Sequence, residues 1–218
     1  MSNFQKLSVD EKITDVEKRF NNVKSSKEIM SLLTVFNIDA AYLDEGLQTV
    51  TNARDASNTQ KKEYSEQYNA TNERDSKLDE VEEIYKKTEG IARIVLANND
   101  LNTSLKIGLP LPAKINAGIE RMRSFYDGVL GDEQLLTLMG RYNRGAEVLQ
   151  AEQARVIELI ELQARQQKET GEAQRATQLR NDAVEQMIAR NRELIALLKL
   201  ALGKRNDLLE VAGLFVRN

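Results

Sequence analysis

The segment KEYSEQYNATNER at residues 62–74 returns as KETGEAQRATQLR at residues 168–180, with six identical residues at the same spacing. Shorter matches flank it in the same order and with small changes of spacing. They pair Val16-Glu17-Lys18 with Ile119-Glu120-Arg121, Leu32-Leu33-Thr34 with Leu135-Leu136-Thr137, Asn99-Asp100-Leu101 with Asn206-Asp207-Leu208, and Gly108-Leu109 with Gly213-Leu214. Self-similarity in this order predicts a tandem duplication of one helical unit.

The boundary between the copies falls at Leu109-Pro110-Leu111-Pro112, which holds both prolines of the chain. Each proline breaks a helix and forces its neighbour into an extended conformation. We therefore expect a first helical repeat at 1–109 and a second at 110–218. The duplication favours two similar units that are related by a pseudo-twofold and share one core.

The composition predicts an all-α protein. Of the 218 residues, 30% are charged and 5% aromatic, and the mean hydropathy is -0.51; these values are typical of helical bundles and coiled coils. The absence of cysteine and histidine excludes disulfides, His-ligated metals, His general bases and Ser-His-Asp triads. A net charge of -3 argues against nucleic-acid binding, which needs clustered lysine and arginine.

The chain offers no membrane segment that we can recognise. The start, Met1 to Lys6, lacks the apolar run of a signal peptide. The most apolar stretch, Leu194 to Leu202, is interrupted by Lys199 and is too short to span a bilayer. We therefore expect a cytoplasmic protein without membrane insertion and without a cofactor.

Each copy begins with two short helices and continues as a long run without proline. We expect the short helices to stop at Asn37 in the first copy and at Gly140 in the second, since Asn and Gly most readily adopt the left-handed conformation that ends a helix. Apolar residues then recur three and four apart, as in coiled-coil seams, over about 39–98 and 143–202.

The apolar seam of each long run is interrupted midway by polar residues, at 57–61 and at 163–174. This pattern predicts a helical hairpin that turns near Asp55 to Gln60 in one copy and near Thr170-Gly171 in the other, which is the arrangement that we favour. The alternative is one continuous helix per run, with the three-residue change of spacing as a stammer. Either way, the expected architecture is an antiparallel helical bundle.

The best candidates for chemistry are the carboxylate pairs Glu158/Glu161 and Asp182/Glu185. Residues three apart on a helix share a face, and two such pairs on facing arms could bind Mg²⁺ through oxygen ligands. The pattern resembles the paired acidic motifs of the all-α nucleoside triphosphate pyrophosphohydrolases, although the second pair has Asp and Glu in reversed order. The simpler interpretation is that all four are solvated flanks of the seam, with no metal site.

Two other groups of residues have simple structural interpretations. Tyr64, Tyr68 and Tyr85 lie on the apolar stripe, which predicts core positions with a solvated hydroxyl; the alternative is a surface that binds a partner. The acidic run Asp79-Glu80-Val81-Glu82-Glu83 is typical of a solvated helix face, and Lys86 and Lys87 lie at helical spacing for ion pairs with its glutamates.

The ends of the two copies carry a further resemblance. Arg74-Asp75, residues 91–97 and Ile107-Gly108-Leu109 in the first copy, with residues 180–183, 197–203, 208–210 and 213–214 in the second, resemble a family of uncharacterised bacterial helical proteins of similar length. The family has a bulky aromatic residue on the last helix, where this sequence has Tyr85 in one copy and Asn191 in the other. The resemblance implies the architecture and brings no activity or ligand with it.

These features predict a non-enzymatic helical scaffold or protein-interaction module. An exposed apolar seam seeks a partner helix, since each buried Leu or Ile contributes about 1.5–3 kcal/mol, so we expect self-association as a homodimer. The alternative is a Mg²⁺-dependent phosphohydrolase that uses Glu158, Glu161, Asp182 and Glu185.

Overall fold

The protein is all-helical over the residues that its structure describes. A computed structural model describes residues 4–96 and 101–214, and these ranges contain no β-strand. The predicted match at Asn99-Asp100 lies outside them. The described helices are α1 (Val9–Ser25), α2 (Lys27–Leu33), α3 (Ala40–Val95), α4 (Leu101–Ser104), α5 (Ile115–Leu130), α6 (Glu133–Gly140), α7 (Ala146–Leu202) and α8 (Asn206–Val211), with 3-10 turns at Phe4–Lys6 and Thr34–Phe36.

The two long runs are continuous helices, so the favoured prediction of hairpins is wrong. α3 has 56 residues and α7 has 57, and both predicted turns lie inside them. Neither turn contains proline, and one glycine in a helix costs only about 1 kcal/mol. The polar midsections are used for side-chain hydrogen bonds between the two helices, as between Gln60 and Thr177 (3.3 Å) and between Gln67 and Thr170 (3.4 Å).

The helices form two compact units, and each unit draws on both halves of the sequence. Unit 1 is Met1–Ser65 with Glu172–Asn218, and unit 2 is Glu66–Gly171. Each long helix therefore contributes one part to unit 1 and the other part to unit 2. Neither of the predicted repeats, 1–109 or 110–218, is by itself one of these compact units. The repeats stay a prediction about the sequence.

Unit 1 packs α1, α2, the first part of α3, the last part of α7, and α8 around one apolar core. Ser8 begins α1 with a reciprocal capping box to Glu11, and Ser26 caps α2 by accepting from the Ile29 N–H. The largest fully buried side chains of this core include Phe20, Ile29, Leu33 and Leu43.

Unit 2 packs α5, α6, the last part of α3 and the first part of α7 around a second core. Its centre holds three aromatic rings in edge-to-face contact: Tyr85 and Phe125 lie 5.3 Å apart, and Phe125 and Tyr126 also lie 5.3 Å apart. Ile107, from the segment between α4 and α5, is also buried in this core.

Most buried residues of unit 1 have a buried counterpart in unit 2 at a constant separation of 106 positions. The same separation relates the helix caps Ser26 and Asp132. The pairs are Ile13/Ile119, Val16/Met122, Phe20/Tyr126, Val23/Val129, Ile29/Leu135, Leu33/Met139, Leu43/Leu149, Val50/Val156, Val81/Met187, Ala92/Leu198 and Leu96/Leu202.

This constant separation corrects the sequence matches upstream of residue 62. Those matches used a separation of 103 positions, which pairs Leu33 with Leu136, whereas the buried counterpart of Leu33 is Met139. The apparent three-residue stammer disappears with that correction. The physical reason is that Leu-Leu-Thr is a common helix pattern and does not define a register by itself.

The turn before each long helix is also corrected. Asn37 is left-handed, with φ 57°, as predicted, but Gly140 is the last residue of α6 and is not left-handed. The left-handed residue of the second turn is Asn143, with φ 58°, 106 positions after Asn37. Asn tolerates this conformation because its short polar side chain hydrogen-bonds locally. Both turns therefore have the same residue type at their left-handed position.

Candidate functional site

The four predicted carboxylates do not lie on facing arms. Glu158, Glu161, Asp182 and Glu185 all belong to the continuous helix α7, with the first two in unit 2 and the last two in unit 1. All four are exposed. The predicted site required a hairpin between the pairs, and the unbroken helix removes it.

Glu158 is used in an ion pair between helices of unit 2. Its carboxylate lies 2.5 Å from the Lys77 ammonium, which also contacts Glu80 at 3.1 Å. Arg155 approaches the other oxygen of Glu80. Hydrogen bonding from Lys77 lowers the pKa of Glu80. These contacts connect α3 to α7. Glu158 therefore fits the simpler interpretation, in which it is a solvated residue beside the apolar seam.

The acidic run on α3 is paired as its spacing predicts. Glu82 lies 2.7 Å from Lys86 and Glu83 lies 2.6 Å from Lys87, each four residues along the helix. Such exposed pairs contribute little to stability, because water and salt screen them. The run is therefore a solvated helix face with local ion pairs.

Unit 2 contains a group of buried and half-buried polar side chains, which we call the glutamate cluster: Thr88 on α3, Tyr126 on α5, Glu152 on α7 and Arg144 in the turn before α7. The Thr88 hydroxyl donates to the Glu152 carboxylate at 2.8 Å, and the Tyr126 hydroxyl donates to it at 3.2 Å. Arg144 donates its Nε–H to the Thr88 hydroxyl at 3.1 Å and lies 3.5 Å from Glu152. The cluster thus satisfies a buried carboxylate from three sides.

The environment of the glutamate cluster holds Tyr126 in its neutral form. Burial raises the pKa of the Tyr126 hydroxyl, and the neighbouring Glu152 carboxylate raises it further. A neutral hydroxyl remains a hydrogen-bond donor, which is the role that Glu152 requires of it. The arrangement can hold a buried negative charge without leaving a polar atom unpaired.

Unit 1 has a different buried polar group, which we call the arginine cluster: Asp15, Arg19 and Asn191. Arg19 donates to the Asn191 side-chain oxygen at 2.6 Å and to the Asp15 carboxylate at 2.8 Å. It also donates to the Gly213 carbonyl at 3.4 Å. The cluster joins α1 to α7 and to the turn that follows α8.

The two clusters occupy non-equivalent places in the two units. Arg19 and Asn191 correspond by the 106-residue separation to Phe125 and Tyr85, which are rings in edge-to-face contact in unit 2. Conversely, Tyr126 and Glu152 correspond to Phe20 and Gly46. A methyl group at Gly46 would lie 1.9 Å from the Phe20 ring, so that place in unit 1 is filled by the ring itself.

The predicted core tyrosines differ in burial. Tyr85 is buried, as predicted, but Tyr64 and Tyr68 are 49% and 67% exposed, so that part of the prediction is wrong. Both lie in the polar midsection of α3, where the Tyr64 hydroxyl accepts a hydrogen bond from Thr177 at 3.4 Å. The neighbouring side chains in this midsection are mostly polar or charged and offer no apolar core in which a ring could be buried.

Sequence reasoning did not identify either cluster. Glu152 and Arg19 are single charged residues on helices that are rich in charge, and no local pattern distinguishes them from exposed neighbours. A signal was available in a comparison of the sequence with itself at a separation of 106 positions, because it sets Glu152 against glycine and Arg19 against phenylalanine.

A scan against models of protein families, a search of curated proteins and a search of solved structures each find no match. The resemblance to uncharacterised bacterial helical proteins stays a prediction. Among the described residues, none of the helices has the combination of length and apolar character that crossing a bilayer requires.

Proposed function

We propose that this chain is a non-enzymatic helical scaffold of the cytoplasm, built from two tandem copies and used for protein interaction. The observation that carries the proposal is the constant separation of 106 residues between the buried positions of the two units. Two helix-stopping asparagines and two helix caps follow the same separation. The packing pattern recurs in both units, whereas, in the described part of the chain, no set of reactive residues does. This combination is expected of a scaffold.

The contacts between the long helices support an antiparallel bundle inside each unit. In unit 1, Glu45 binds Arg190 and Gln60 binds Thr177. In unit 2, the contacts are Gln67 with Thr170, Arg74 with Gln163 and Glu80 with Arg155. As residue numbers rise along α3, those of the partners on α7 fall.

The buried clusters support a structural role over a catalytic one. Unit 1 has a polar contact, Arg19 with Asn191, where unit 2 has the ring contact of Phe125 with Tyr85. Unit 2 has Glu152 where unit 1 has Gly46 against Phe20. Polar and apolar solutions that replace one another at equivalent places are alternative ways to fill a core.

We propose that self-association uses exposed apolar residues that occur at equivalent positions of both units. Ile94 and Leu200, 106 positions apart, are 70% and 66% exposed. Phe36 and Tyr142, related by the same separation, are also exposed. Exposed apolar side chains of this kind suit contact with a second copy, because a symmetric dimer brings the same apolar surface of both chains together and removes it from water.

Light scattering over a range of concentrations tests self-association. We expect a dimer that forms as concentration rises and is lost when Ile94 and Leu200 are both changed to lysine. The control is Ile157→Lys, since Ile157 is also an exposed apolar residue, at 49%, but has Thr51 as its counterpart. A strict monomer, or a dimer that survives the double substitution, would reject this interface.

An activity assay tests the enzymatic alternative. The intact protein is incubated with Mg²⁺ and each of the nucleoside triphosphates, and release of pyrophosphate is measured. The proposal predicts no release above buffer. Release that disappears in Glu158→Gln and Asp182→Asn variants would replace the scaffold with a phosphohydrolase.

A further inference from the structure

Neither half of the sequence contains a complete core in the arrangement that the chain adopts. In unit 1, Phe20 and Leu43 from the first half share a core with Leu194 and Leu198 from the second half. In unit 2, Tyr85 and Ala92 from the first half share a core with residues of α5 and α7. Because α3 is unbroken, its residues after Ser65 belong to unit 2 and do not fold back into unit 1.

We propose that a second copy of this chain can supply either missing half, so that the protein has an exchanged dimer as well as a monomer. In that dimer, the first half of each chain pairs with the second half of the other. The packing contacts between the two halves within each unit are reproduced, apart from those made by the connecting segment itself, since each unit needs one contribution from each half and either chain can provide it. This inference rests on the duplicated architecture of the proposed function.

The segment between α4 and α5 is the connection that decides between the two forms. It holds two residues with positive φ, Lys106 at 53° and Gly108 at 79°, followed by Pro110 and Pro112. These residues keep the chain out of a helix and redirect it. In domain-swapped proteins, the same kind of hinge determines whether an element folds onto its own chain or onto a copy.

Several contacts hold this segment in its turned form inside unit 2. The Gly108 N–H donates to the Glu89 carboxylate, and Arg121 donates to the Lys106 carbonyl. Ile107 is buried between these anchors. A short connection gives the two halves an effective concentration in the millimolar range, roughly, for pairing within one chain. The intact segment therefore favours the monomer at ordinary protein concentrations.

Straightening the connection should make the exchanged dimer the stable form. The test variant carries Gly108→Ala, Pro110→Ala and Pro112→Ala, which disfavour the positive φ at position 108 and remove both prolines so that α4 and α5 can join as one helix. The control carries Leu109→Ala, Ala113→Ser and Lys114→Ala, three exposed changes in the same segment that leave the turn in place. Mass is measured by light scattering after gel filtration, and helix content by circular dichroism.

The expected result is a doubled mass for the test variant at every concentration, with the helix content and melting behaviour of the unaltered protein. The control should have the same mass as the unaltered chain. A folded test variant that remains monomeric would overturn the proposal. So would a doubled mass that reverts to one chain when Ile94→Lys and Leu200→Lys are added, because that dimer would be held by the surface of the proposed function.

A second measurement on the intact chain covers the case in which the test variant does not fold. Isotopically light and heavy chains are unfolded together, refolded at high concentration, diluted and analysed by native mass spectrometry. Exchange predicts mixed light–heavy dimers whose fraction rises with refolding concentration and which persist for hours on dilution, since separation requires both units to open. Refolding to monomers alone at every concentration would contradict it.

Discussion

Arg19 donates a 2.6 Å hydrogen bond to Asn191 in the core of unit 1, at the place where Phe125 meets Tyr85 ring to ring in unit 2. A polar pair thus fills in unit 1 the core position that an aromatic pair fills in unit 2. If these are equivalent solutions, the polar pair should be replaceable by the aromatic one.

Transplanting the aromatic pair tests this equivalence. Arg19→Phe alone should lower the free energy of unfolding by about 1–3 kcal/mol, because Asn191 loses its buried partner. Adding Asn191→Tyr should recover about 1 kcal/mol or more as a coupling energy, since an edge-to-face ring pair contributes about 0.5–1.5 kcal/mol. Urea unfolding of both single variants and the double variant measures it; additive losses would show that the two places are not equivalent.

The buried carboxylate of the glutamate cluster should be among the most sensitive positions in unit 2. Glu152→Ala removes the acceptor for Thr88 and Tyr126 and leaves Arg144 without its charge partner, so we expect a loss of about 3–5 kcal/mol. The matched control is Glu158→Ala, an exposed glutamate on the same helix, with an expected loss of about 0–1 kcal/mol. Equal losses in the two variants would contradict a structural role for the cluster.

Two glycines on the long helices should respond to alanine in opposite directions. Gly46→Ala places a methyl group 1.9 Å from the Phe20 ring, so we expect a loss of about 1–3 kcal/mol from overpacking. Gly171→Ala meets open space inside α7 and should stabilise by about 0.5–1 kcal/mol. A destabilised Gly171→Ala variant would indicate a turn at the position where α7 is continuous.

The ion pair between Glu17 on α1 and Arg54 on α3 should make the stability of unit 1 depend on pH. Hydrogen bonding from Arg54 lowers the pKa of Glu17 below its ordinary value of 4.5. Because the folded-state pKa is the lower one, this pair stabilises the protein above pH 4.5 and its contribution is lost as pH falls through the folded value. Thermal melts of the unaltered protein and Glu17→Gln should differ at pH 7 and converge in acid. A difference that grows in acid would contradict this assignment.

The sequence predicts some parts of this fold well and others poorly, for identifiable reasons. The all-α class follows from composition, and Asn37 marks a turn because few other residues adopt its conformation. The continuity of α3 and α7 was missed because a polar midsection predicts a turn as readily as it predicts hydrogen-bonded helices; Gln60 and Thr177 show which applies.

The candidate site is harder to predict from the sequence. Its residues are distinguished by their burial, and the local sequence pattern does not show which charged residues are buried. Glu152 and Glu158 are both glutamates on α7, six residues apart. One is enclosed by Thr88 and Tyr126, whereas the other is an exposed flank. Distinguishing them requires knowing which helices pack against α7, and the residues that enclose Glu152 lie 26 and 64 positions away in the sequence.

The central claim is that each compact unit is built from both halves of the chain. A protease site placed between Leu109 and Ala113 and cut after folding tests it most directly, by gel filtration with light scattering. We predict that both fragments stay together under native conditions, at the 24.7 kDa of one chain or its multiple, and separate only in denaturant. Two folded fragments that elute apart without denaturant would contradict the account.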